Sequence, residues 1–194
     1  MSSSLALFIL LFSRLVLAES TCVPISAEEL RKIVDEVQLH HYPELNGISF
    51  PFVDCKSENY FFQASVSKAS LLKGKKKYFI EVNKKLLNCP PSEAGLRAII
   101  THELAHFRDY EKLRPSGLMK LGIHYTVSMS FRRGYERQTD LTAIHMGEGR
   151  GLIDYRLWLY ERLSPKGLRL KKIYYLNPSE IESEMTKMNS DFFQ

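Results

Sequence analysis

Cysteine is scarce in this chain. Its 194 residues contain three, too few for a miniprotein built on disulfides. The sequence has no internal repeat and no linker long enough to divide it, so one domain with a real core is expected. Charge of one sign is scarce too. Lys and Arg number 27 against 22 Asp and Glu, a formal charge of +5. A basic balance this small bears on solubility and association, and it assigns no nucleic-acid partner. Apolar residues at 44% and charged residues at 25% exclude a disordered, collagen-like or low-complexity chain.

Long apolar runs are confined to the beginning. Residues 5–12 are continuously apolar, Ser13 and Arg14 follow, and Leu15-Val16-Leu17-Ala18 precedes Glu19. This stretch is shorter than the roughly 20 residues of a spanning helix. Val16 and Ala18 stand at −3 and −1 of a cleavage point, so residues 1–18 read as a signal peptide. Secretion or delivery to a periplasm is expected, with no membrane span left after its removal. The mature chain, 19–194, would keep 176 residues and a charge of +4 after losing Arg14. Cys22, Cys55 and Cys89 would then meet an oxidising medium. One disulfide and one buried thiol are expected, with the pairing open.

The mature chain opens with Ser26-Ala27-Glu28-Glu29, a capping box. The helix it starts carries Leu30, Ile33, Val34 and Val37 on one face and ends near His41. Pro43, Asn46, Gly47 and Pro51 mark a loop. Residues 59–67 and 77–83 alternate apolar and polar and predict two strands, joined by a turn with lysines from Lys73 to Lys77 around Gly74. Helical patterns follow over 92–112, about 130–146 and about 151–163, with a last short helix from Pro178. The order predicts an α+β fold: a small antiparallel sheet packed on the helix of 92–112, and a mainly helical remainder. The upper part spans about 22–112 and the lower about 113–194.

The long helix contains His102-Glu103-Leu104-Ala105-His106. Residues four apart share a helix face, so His102 and His106 can present two imidazole nitrogens to one Zn²⁺. Glu103 sits beside them, where it can take a proton from a zinc-bound water. A third ligand is required. Asp109 and Lys112 stand where a metzincin would carry Gly and a third His. Thirty residues after His106, Glu136 and Asp140 share a face of the next helix. Glu136 suits the metal, and Asp140 suits a ligand histidine's free N–H. Ala143 and Gly147 continue that face as small residues that would let the two helices pack closely.

A His-Glu-x-x-His helix followed by a Glu-x-x-x-Asp helix resembles the gluzincin class of zinc metallopeptidases. Residues 92–147 are similar to the core of the HtpX-like and CAAX-prenyl-protease group and of the soluble minigluzincins. The resemblance rests on Ile99 to His106 and on Glu136 to Ala143; Thr139 stands where Ala is commoner. It implies a zincin-like fold, zinc held by His102, His106 and Glu136, and Glu103 as general base. The activity it implies is hydrolysis of peptide or protein substrates. It also implies an oxyanion donor beyond the Glu helix, for which His145, Tyr155, Arg156, Tyr174 and Tyr175 are available. Substrate is expected to add to a sheet edge, with strand 77–83 as the candidate. The alternative is a catalytically silent peptide- or partner-binding protein on the same scaffold. Cys22 as a further zinc ligand that keeps the enzyme latent ranks below its role in a disulfide.

Overall fold

The computed structural model describes residues 22–191; the expected signal peptide and Phe192-Phe193 lie outside them. The fold is α+β and mostly helical. Helix α1 (Ala27–His41) begins with the capping box: Ser26 Oγ accepts the Glu29 N–H at 3.1 Å, and Glu29 accepts the Ser26 N–H at 2.8 Å. Strands β1 (Phe52–Cys55), β2 (Phe62–Val66) and β3 (Tyr78–Asn83) form one sheet. Its order is β1-β3-β2, with β2 antiparallel and β1 parallel to β3.

The sheet is therefore mixed, not antiparallel, and β3 lies at its centre. A central strand has both rows of backbone groups paired, so 77–83 is not the edge that could receive a peptide. The edge strands are β1 and β2. The Asn83 N–H donates to Phe61 O and the Ser67 N–H to Lys77 O, both at 2.9 Å. This alternation turns the backbone groups of Phe62, Ala64 and Val66 away from β3. Strand β1 escaped the sequence pattern because Val53 and Asp54 are exposed and the strand shows no apolar alternation.

Short helices α2 (Lys68–Leu72) and α3 (Lys84–Asn88) flank β3, so the lysine-rich connection contains a helical turn, with Gly74 at φ +69°. Helix α4 (Glu93–Glu111) follows Ser92, whose hydroxyl accepts the Gly95 N–H at 3.0 Å. Every residue from Ala98 to Phe107 is buried. α4 is thus a central helix, enclosed all round. Phe50 stacks on Phe107 at 4.4 Å, and the Tyr42 hydroxyl donates to Thr101 O at 2.6 Å. These contacts fix α4 beneath the segment that follows α1.

The remaining helices are α5 (Pro115–Val127), α6 (Met129–Ala143), α7 (Gly149–Tyr160), α8 (Pro165–Tyr174) and α9 (Pro178–Asp191). A π-helical turn, Ile144–Glu148, joins α6 to α7 and holds Gly147 at φ +89°. Gly147 serves this break in the helix; nothing lies within 4 Å of its Cβ position, so it is not a close-packing residue. The close approach belongs to Gly151, where a Cβ would lie 2.1 Å from Ala94 O. That absence of a side chain lets α7 rest on α4, its most extensive helical neighbour. Among the described residues no helix is long and apolar enough to cross a membrane. A disulfide joins Cys22 to Cys89, which leaves Cys22 no role as a zinc ligand, and Cys55 is a half-buried free thiol.

Candidate metal centre

Four polar side chains lie within the buried stretch of α4: Thr101, His102, Glu103 and His106. Buried polar groups need partners; α6 supplies those of the two histidines, while Thr101 Oγ1 has none. Glu136 and Asp140, one turn apart on α6, are also buried. Glu136 Oε2 lies 3.2 Å from His102 Nε2 and 3.5 Å from His106 Nε2. Asp140 Oδ1 lies 2.9 Å from His102 Nδ1, at an angle too oblique for an aligned hydrogen bond. A carboxylate oxygen at that distance favours the tautomer with the proton on Nδ1. Three of the residues expected to bind metal, and the one expected to support them, thus come together.

The ligand-type atoms of His102, His106 and Glu136 all lie within 4.8 Å of one another. Bonds of about 2.0–2.1 Å in a tetrahedral site imply ligand atoms roughly 3.3 Å apart. The observed 3.2 and 3.5 Å match that edge. The donor chemistry fits as well. With a proton on Nδ1 facing Asp140, a neutral His102 turns its Nε2 lone pair on a carboxylate oxygen. Such an arrangement requires a cation between the two groups or a second proton on the ring.

The site's electrostatics have the same origin. Burial alone would lower the His102 pKa, but Asp140 and Glu136 outweigh it and push it up to about 9. Burial opposes ionisation of Glu136, yet the two imidazoles hold its carboxyl well below the usual range. Burial also opposes ionisation of Asp140. The Arg156 guanidinium at 2.6 Å, His102 and the Leu176 N–H at 2.8 Å keep it lowered. Asp140 is therefore clamped from three sides, and its orientation is passed on to His102. Ring packing holds His106 in place: Tyr135 lies 5.1 Å away, and Tyr110 stacks at 6.1 Å.

Glu103 accepts the Ala64 N–H on Oε2 at 2.7 Å. This ties the carboxylate to the outward edge of β2. The cleft at that edge has a volume of about 260 Å³ and is lined by Glu103, His106, Glu136 and residues of β2. Tyr125 on α5 also reaches the site, where its hydroxyl donates to Glu136 Oε1. It occupies one carboxylate oxygen and leaves Oε2 to the imidazoles. Sequence reasoning missed Tyr125, because α5 has little apolar periodicity and no motif.

The five oxyanion candidates separate. Tyr174 and Tyr175 line the cleft. Arg156 is committed to Asp140 and, at 3.3 Å, to Leu176 O. Tyr155 is buried in the core against Trp158, and His145 is exposed away from the cleft. Burial, with Glu136 next, pushes the Tyr175 phenol well above its ordinary value, so it stays an O–H donor.

No family model matches the chain, and searches of curated proteins and of solved structures found no match either.

Proposed function

We propose that this chain is an exported, zinc-dependent peptidase of the gluzincin type, with a zincin-like arrangement of sheet and active-site helix. The observation that carries the reading is the convergence of His102 Nε2, His106 Nε2 and Glu136 Oε2 in a buried cluster beside Glu103. Two imidazoles and one carboxylate are a common catalytic zinc set, with a position left open. When bound, zinc would act as a Lewis acid that polarises a carbonyl and acidifies a water.

The chain's own groups do the rest. Glu103 is held by Ala64 through Oε2 and has Oε1 to take the proton of the attacking water and return it to the leaving nitrogen. Because α4 fixes its backbone and β2 fixes its carboxylate, the base is pre-oriented. Tyr174 and Tyr175 line the cleft, and their hydroxyls are the candidates to meet charge that develops on the carbonyl oxygen. The outward groups of Phe62 and Val66 can pair with an extended peptide; the Ala64 N–H is already engaged.

The test is metal content and hydrolysis together. Purified protein should carry about one zinc per chain. Glu103→Gln should keep the zinc and lose at least about 100-fold in chelator-sensitive cleavage of a peptide library. Glu136→Ala should lose the metal; unchanged zinc content would refute the ligand assignment. Full metal loading with no cleavage by the wild type would leave the silent binding protein as the correct reading.

A further inference from the structure

Two cations in the cleft have no role in the chemistry above. Arg132 lies on α6 four residues before Glu136, so it shares the face that looks into the site. Lys171 lies on α8 four residues before Tyr175. Both line the same cavity as Glu103, His106 and Glu136. We propose that Arg132 and Lys171 form an anion subsite that selects peptides bearing a carboxylate beside the scissile bond, from an acidic side chain or a free C-terminus. The inference rests on the peptidase reading and specifies its substrates.

Neither charge is spent on a carboxylate of this fold. Other cations of this part of the fold have partners: Arg137 meets Glu180 at 2.7 Å and Arg156 meets Asp140 at 2.6 Å. Among the described residues, neither Arg132 nor Lys171 has a carboxylate oxygen within 4.0 Å, and Arg132 Nε is buried with no hydrogen-bond partner. A buried guanidinium nitrogen without a partner is costly unless something arrives to meet it.

Both cations are also preorganised. The Arg132 guanidinium carbon lies 4.3 Å from the Tyr174 ring centre and 4.7 Å from that of Tyr125. Lys171 Nζ lies 4.2 Å from the Tyr175 ring centre. Aromatic faces hold a cation without using its N–H donors. The fork of Arg132 therefore keeps its geometry for a planar carboxylate.

Charge balance favours an incoming anion as well. Glu103 and Glu136 are the carboxylates lining this cavity, and a divalent ion would offset both. The two side-chain cations are then uncompensated inside a partly desolvated cleft. Burial pushes Lys171 down to about 8, with Glu136 and Glu103 opposing and Arg156 and Arg132 adding to the fall. An incoming anion relieves that cost, and a neutral peptide does not.

Binding without turnover tests this. Zinc-loaded Glu103→Gln protein is titrated with three fluorescent alanine-based hexapeptides. One is an amide with no charged side chain, one is the same chain with a free C-terminal carboxylate, and one is the amide with a central glutamate. At least one of the acidic peptides should bind about 10-fold or more tighter than the neutral amide. Which one it is identifies the source of the carboxylate. The preference should shrink as salt rises and vanish when Arg132→Gln or Lys171→Gln is added, and Lys171→Arg should restore it. Equal binding of all three peptides, at low salt as at high, overturns this inference and leaves the peptidase reading standing. Binding of none of them overturns both.

Discussion

At the scale of single residues, the candidate centre depends on which oxygen of Glu136 faces the two imidazoles. Tyr125 is the clearest case. Its hydroxyl takes Glu136 Oε1, so Tyr125→Phe frees that oxygen to turn. Metal affinity should fall about 10-fold, measured by competition with a chelator, while helix content is unchanged. His102 sets a pH dependence. Its folded pKa of about 9 lies above the ordinary value of 6.5. The stabilisation it brings to the metal-free protein is thus complete below about pH 6.5 and lost as pH rises toward 9. Thermal melts of the metal-free form should show that decline. The zinc-loaded form should not, because a ligating imidazole gives up its proton. Asp140 and Glu136 act at the other end. Their lowered pKa values mean stability that is present above the ordinary carboxylate range and lost as pH falls through the folded values.

At the scale of elements, the site depends on how closely α7 and α6 lie on α4. Gly151 decides the first contact. A methyl group there would meet Ala94 backbone oxygen at 2.1 Å, and backbone in the middle of a packed helix cannot move aside cheaply. Gly151→Ala should cost about 2 kcal/mol or more, seen as a lower denaturant midpoint. Gly122→Ala is the control: nothing lies within 4 Å of its Cβ position, so helix propensity predicts no loss. Two helices, α5 and α8, are absent from the sequence reading for different reasons. α5 buries one residue, Leu118, and contains Gly117 and Gly122, so it has no apolar stripe to detect. α8 did carry a signal in Ser164-Pro165-Lys166-Gly167: the Ser164 hydroxyl caps the Gly167 N–H at 3.1 Å and Pro165 stands at the first turn.

At the scale of the whole molecule, the Cys22–Cys89 disulfide ties the N-terminal arm to the end of α3, across a sequence separation of 67 residues. Cys89 O also accepts the Trp158 indole N–H at 3.0 Å, and its sulfur receives an Arg162 N–H at 3.3 Å. One anchor point thus gathers the arm, the start of α4 and the end of α7. Closing a loop of that length contributes about 4 kcal/mol in the chain-entropy description. Paired Cys22→Ser and Cys89→Ser substitutions should lower the unfolding free energy by a similar amount. Reduction of the wild type should lower its melting temperature, while Cys55→Ser leaves it nearly unchanged.

The elements visible in the sequence were those whose instructions are local. A capping box, a period of 3.6 or 2, and a proline or serine at a helix start act within one turn or one strand. They placed α1, β2, β3, α4, α6, α7 and α9, and the i, i+4 spacing placed His102 with His106 and Glu136 with Asp140. What needed the tertiary structure was everything set by contacts between segments distant in the chain. Sheet order is one such decision: the parallel pairing of β1 put 77–83 at the centre and left the edges to β1 and β2. The fate of Arg156, the arrival of Tyr125 at Glu136, and the unpaired charges of Arg132 and Lys171 are others. No local rule encodes these, because each is the outcome of helices competing to bury their apolar faces around α4, and partners for buried polar atoms are found only after that competition is resolved.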